Sequence, residues 1–100
     1  DDMFTVPLFS VGCEGLISVL SNAYPKLYKG QIEACRTGNY VEANKLAKST
    51  LVINELIYKE GNPVGVKQLM AHLGLCDPYV RLPLIKASDN LAAQIKAEML

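Results

Sequence analysis

The stretch from Gly15 to Leu20, Gly-Leu-Ile-Ser-Val-Leu, is a short and nearly continuous apolar run, bounded by glycine on one side and Ser21-Asn22 on the other. A run of this kind reads as a strand buried on both faces, the signature of a parallel sheet. It is also the one convincing strand in 100 residues. A strand must pair its backbone N–H and C=O groups with neighbours, so a chain carrying a single strand reads as part of something larger.

The remainder is helical in pattern. Asp1 and Asp2 are good helix caps, and Met3 to Val11 runs to Gly12, a suitable helix stop. Phe4, Thr5, Val6 and Phe9 favour strand and leave the segment undecided by propensity. Pro7 tips the reading to a short helix, because it cannot donate to a central ladder. Pro25 suits a first helical residue, with Tyr24 or Asn22 near the cap, and Leu27, Tyr28, Ile32 and Cys35 recur at helical spacing up to Thr37-Gly38. A strand leading straight into a helix is half of a βαβ unit.

Asn39 caps the next expected helix, which runs to Gly61 with Ala43, Leu46, Ala47, Ile53, Leu56 and Ile57 on its apolar face. Asn62-Pro63 then starts the clearest amphipathic helix, with Val66, Leu69, Met70 and Leu73 inward and a stop at Gly74. Leu75 to Ala87 carries Pro78 and Pro83 and reads as an extended connection, after which Ser88 caps a last helix with Leu91, Ile95 and Met99 inward. The expected count is about five helices and one strand, divided near Asn39.

Several function classes are disfavoured by composition. Ten basic residues balance ten acidic ones, so no field attracts nucleic acid or an anionic membrane. No apolar run approaches the ~20 residues that span a bilayer, and no basic leader precedes one. The expectation is a soluble, cytoplasmic protein. Cys13, Cys35 and Cys76 are odd in number and widely spaced, which indicates neither a disulfide framework nor a metal site, but reduced thiols in apolar positions. His72 has no second ligand at metal spacing and reads as a lone histidine. No cofactor is expected.

Three segments carry a family resemblance: GCEGLISVLSNAYPK from Gly12, EGNPVGVKQLMAHLGL from Glu60, and VRLPL from Val80. In this order they resemble the C-terminal third of enzymes of the dihydrodipicolinate synthase / N-acetylneuraminate lyase family, on its dihydrodipicolinate synthase branch. The most specific element is Asn62-Pro63-Val64-Gly65-Val66-Lys67 followed by Arg81-Leu82-Pro83-Leu84. The resemblance implies an α/β parent fold, a (β/α)8 barrel, of which this chain is a mostly α part. Residues 1–38 would close the barrel with a short helix, strand eight and helix eight, and residues 39–100 would form the C-terminal helical region.

The chemistry implied is a class I aldolase reaction, in which a lysine amine forms a Schiff base with pyruvate and the resulting enamine attacks aspartate semialdehyde. That lysine, its proton relay and the arginine for the aldehyde's carboxylate belong to segments upstream of Asp1, so no catalytic residue is expected in this chain. The lysines from Lys26 to Lys96 fall on expected helices or loops, Lys67 among them in the helical region. Read without the resemblance, Ile17 is an apolar core residue. With it, Ile17 sits at the mouth of the last strand beside pyruvate, where barrel active sites lie, and is the one substrate-binding residue carried over.

Sialate lyases place a glutamate at the position of Met3 and a serine at that of Val19, to bind sugar hydroxyls. Their absence favours a small charged aldehyde. Family members are commonly homotetramers, so a homo-oligomer is implied. Two other readings stay open: another pyruvate-dependent aldolase, such as a 2-keto-3-deoxy sugar acid or N-acetylneuraminate lyase, and a non-catalytic helical interaction module.

Overall fold

The computed structural model describes all residues from Asp1 to Leu100. It contains six α-helices: α1 (Thr5–Ser10), α2 (Pro25–Arg36), α3 (Tyr40–Lys48), α4 (Leu51–Tyr58), α5 (Val64–His72) and α6 (Asp89–Ala97), with 3-10 turns at Asp2–Phe4 and Leu20–Asn22. The chain forms two compact units, Asp1–Leu51 and Val52–Leu100. No helix is long and apolar enough to cross a membrane.

In the first unit, Asp1 caps the opening turn by accepting from the Met3 amide at 3.1 Å. Pro7 sits in the first turn of α1, where a missing N–H breaks no helical bond. The helix stops with Gly12 at φ +102°, while the Gly12 and Cys13 amides return to the Phe9 and Leu8 carbonyls. Glycine tolerates that φ without a Cβ clash, and the double return bond is the Schellman stop. Pro25 is the first residue of α2, as its spacing requires. Asn39 Oδ1 accepts from the Glu42 amide at 3.2 Å and opens α3. Val6, Cys35 and Ala43, from α1, α2 and α3, form a buried cluster, with Phe9, Ala34, Tyr40 and Ala47 packed against it.

The expected strand at Gly15 to Leu20 is not formed. Residues 13–18 belong to neither helix nor strand and make no ladder bonds, and Leu20 already belongs to a 3-10 turn. None of the amides from Glu14 to Ser18 donates a hydrogen bond within the chain. The physical reason is the one that made the segment conspicuous: no strand elsewhere in these 100 residues supplies the partner groups. The expected burial on both faces fails with it, since Leu16 and Ser18 are half-buried and Ile17 is 100% exposed. Cys13 is likewise exposed, while Cys35 is buried. Burial raises the Cys35 thiol pKa by disfavouring the thiolate.

The single helix expected from Asn39 to Gly61 is two, α3 and α4, interrupted at Ser49-Thr50. The Ser49 hydroxyl donates to the Leu46 carbonyl at 2.7 Å and the Thr50 hydroxyl to the Ala47 carbonyl at 2.9 Å. Hydroxyls that take carbonyls one turn back compete with the helical ladder and favour a break.

In the second unit, Ile53, Ile57, Leu69, Leu91 and Ile95 are almost completely buried, and α5 packs on α6. Pro63 occupies the cap position of α5, one residue before the place its spacing suggested. A Cβ on Gly65 would fall on the Cα, C and O atoms of Ile57, so α4 and α5 touch backbone to backbone there. Ser88 caps α6 as expected, its hydroxyl oxygen accepting from the Leu91 amide at 3.2 Å.

A second group completes that cap. The Glu60 carboxylate accepts from the Ser88 amide at 2.9 Å and from the Ser88 hydroxyl. The Ser88 hydroxyl bond, then the Ser88 amide bond, and more weakly the charge of Lys59 lower the Glu60 pKa from its ordinary 4.5. A depressed carboxyl stabilises the fold above its unfolded pKa, and the contribution disappears as pH falls through the lower folded value. Thermal melts of the parent chain and of Glu60→Gln should therefore differ at pH 7 and converge below the ordinary value of 4.5. A gap that stays constant with pH would contradict the carboxylate cap.

Candidate functional site

Ile17 is the fifth of the six residues 13–18, which belong to neither helix nor strand. Leu16 and Ser18, its neighbours, line a cleft against α2 with Tyr28, Ile32 and Glu33. Ile17 lies between them and is wholly exposed. This alternation is the period of two of a β-strand, in which successive side chains leave opposite faces. One face of the ribbon is turned to a helix, as in a barrel wall, and the other presents Ile17.

Three sets of hydrogen bonds hold the ribbon. At its start the Cys13 amide donates to the Leu8 carbonyl at 3.1 Å. Next, the Arg36 guanidinium donates to the Glu14 carbonyl at 3.2 Å. Beyond Ile17, the amides of Val19 and Leu20 donate to one oxygen of the Asp2 carboxylate, Oδ2, at 3.0 and 3.1 Å. Asp2 is only 4% exposed. It thus joins the segment carrying Met3 to the one carrying Val19.

Asp2 was the residue that sequence reasoning misplaced. An Asp-Asp pair before a helix reads as cap and dipole partner, and that account holds for Asp1. For Asp2 no local signal points to amides 17 and 18 residues away.

The other candidates are not gathered at Ile17. His72, on α5, is half-buried, with Nε2 2.8 Å from the Ala92 carbonyl oxygen of α6 and 3.2 Å from Gln68 Nε2. It ties α5 to α6. Lys67 lines an open cleft with Pro63, Tyr79, Val80, Arg81 and Leu84, which places both halves of the most specific sequence motif on one surface. That lining offers two cations and no carboxylate or histidine to work with them. No three His, Cys, Asp or Glu side chains approach closely enough to hold a metal ion.

A helix-backed ribbon without a strand partner, leading into a helix, has the pattern of half a βαβ unit, the repeat of α/β folds. The sequence model of the Dihydrodipicolinate synthetase family matches residues 1–99. The chain belongs to that family. It is 44% identical over 96 residues to a 4-hydroxy-tetrahydrodipicolinate synthase of Cytophaga hutchinsonii, covering 96% of this chain and 32% of that protein. Its structure is similar to that of the 4-hydroxy-tetrahydrodipicolinate synthase of Methylacidiphilum fumariolicum SolV, with a TM-score of 0.89 and 33% identity over 98% of this chain and 33% of that one. A monomeric dihydrodipicolinate synthase variant gives a TM-score of 0.94 at 26% identity, again over 98% of this chain and 33% of the other. The chain spans about a third of the length of the relatives it matches, all of it within the mostly helical part of a (β/α)8-barrel fold.

Proposed function

We propose that residues 1–100 are the C-terminal third of a 4-hydroxy-tetrahydrodipicolinate synthase, condensing pyruvate with L-aspartate 4-semialdehyde in lysine biosynthesis. The observation that carries this is the helix-backed, unpaired ribbon presenting Ile17 in a chain whose family match runs over residues 1–99. Residues 1–38 complete the barrel in this reading, and residues 39–100 form the appended helical region.

The reactive lysine lies on an earlier strand. Its amine attacks the keto carbon of pyruvate and expels water, and loss of a methyl proton gives the enamine that adds to the aldehyde carbon. Ile17 contributes shape: an apolar wall beside pyruvate that helps hold the keto acid in its pocket. It moves no proton itself. Met3 and Val19 offer no hydrogen bond to sugar hydroxyls, which supports a small charged aldehyde over a polyhydroxylated one. The assembled enzyme is read as a cytoplasmic homotetramer.

Borohydride trapping tests the reading. With pyruvate present, reduction should fix the keto acid to a lysine of the longer polypeptide outside residues 1–100, and residues 1–100 alone should take up none. Labelling of a lysine within this chain, or faster turnover with a sugar-derived aldehyde than with aspartate semialdehyde, would reject it.

A further inference from the structure

The geometry points to Asp2 as a positioning residue of the pyruvate pocket, one that sets the place of Ile17 through the backbone of Val19 and Leu20. The inference deepens the proposed function and rests on its reading of Ile17.

From Gly15 to Ser18 the backbone of the ribbon makes no hydrogen bond inside the chain; the one bond there is made by the Ser18 hydroxyl oxygen, which accepts from the Ser21 amide at 2.9 Å. Its course is set by what holds its two ends. The upstream end is fixed by the return bond from Cys13 and by Arg36 on Glu14. Downstream, the Asp2 carboxylate takes two consecutive amides, those of Val19 and Leu20, only two and three residues past Ile17. A carboxylate accepting backbone N–H groups makes bonds about twice as strong as neutral ones, and here they are buried.

Asp2 is itself held rigidly. Its carbonyl accepts from the buried Thr5 hydroxyl at 2.8 Å, and the Asp1 carboxylate fixes the next amide, that of Met3, at 3.1 Å. The clamp is therefore built on the first turn of α1 and reaches across to the ribbon. Its second oxygen, Oδ1, is buried without a hydrogen-bond partner. A capping role would be served by an exposed carboxylate, as it is at Asp1, so burial of this one is explained by the two amides it holds.

Removing the clamp frees the ribbon just past Ile17 and leaves the upstream anchors intact. A displaced apolar wall weakens pyruvate binding more than it slows the lysine chemistry, because the reacting groups sit on other segments.

The test uses the full-length synthase carrying this segment, with Asp2→Ala, Asp2→Asn and Ile17→Ala compared to the parent. Asp2→Ala is expected to raise KM for pyruvate about tenfold, with kcat and the aldehyde KM changed less than about threefold. Asp2→Asn keeps one acceptor oxygen and should restore most of the pyruvate KM. Should Asp2→Ala fail to fold, Asp2→Asn is read by amide hydrogen exchange, where Val19 and Leu20 should exchange at least about tenfold faster than in the parent as the charge-assisted bonds weaken. A lower Tm with an unchanged pyruvate KM, or unchanged exchange at both amides in Asp2→Asn, would overturn the inference. Ile17→Ala separates the two levels. If it raises the pyruvate KM and Asp2→Ala does not, the positioning role falls and the pocket assignment stands. If Ile17→Ala leaves that KM unchanged, the assignment of Ile17 falls, and the role of Asp2 with it.

Discussion

Replacing Gly65 by alanine is expected to destabilise residues 52–100 by about 3 kcal/mol or more, at the upper end of the cost of overpacking. At about 4–8 °C of Tm per kcal/mol for a domain of this size, the melting temperature falls by roughly 12–24 °C. The reason is the identity of the obstructing atoms. An added Cβ would meet the Cα, C and O of Ile57, which are main-chain atoms of α4 and cannot rotate aside as a side-chain tip would. Relief requires α4 and α5 to separate, opening a core in which Ile57 and Leu69 are at most 1% exposed.

Gly30 makes the matched control. It lies inside α2, and a Cβ there would meet only Leu46 Cδ1 at 3.5 Å, an ordinary contact. Gly30→Ala should therefore stabilise the first unit by up to about 1 kcal/mol through helix propensity. Thermal or urea unfolding of the two variants, read against the parent chain, checks both signs. A Gly65→Ala variant within about 1 kcal/mol of the parent would show that the backbone contact is not tight.

Much of the fold was legible because single residues dictate local backbone chemistry. Pro25 opening α2, Asn39 capping α3 and Ser88 capping α6 are each required by a side chain acting on its own few neighbours. The break at Ser49-Thr50 was not legible, since hydroxyls on a helix face can stay solvated as readily as they turn back to a carbonyl. Gly65 was noticed as part of a motif, but its purpose depends on Ile57, eight residues earlier and on another helix.

The site shows the same division. Ile17 was proposed from family likeness alone, and its exposure here could not be read from composition. The apolar run around it has the pattern of a strand buried among neighbours, and these 100 residues contain no other strand, so pattern and observed structure disagree there. Asp2 escaped notice because a long-range carboxylate clamp and a local cap have the same sequence signature. Only the distances to Val19 and Leu20 distinguish them.

If the ribbon at residues 13–18 is a strand awaiting its neighbours, its amides give the largest expected signal. In the 100-residue chain, the amides of Glu14 to Ser18 have no acceptor and should exchange with solvent at nearly the intrinsic rate. Val19 and Leu20, bonded to Asp2, and the helical amides of α2 serve as protected references within the same molecule. In the longer polypeptide, pairing on both sides of the ribbon should slow the amides that enter the ladder by at least about a thousandfold, since core strands open only with most of the global unfolding free energy.

Native-state hydrogen exchange resolved to residues 14–18, recorded on both polypeptides at matched pH, is the most direct test. Fast exchange is expected in the 100-residue chain and strong protection in the longer one. Strong protection of these amides in a monomeric 100-residue chain, or none in the longer polypeptide, would contradict it.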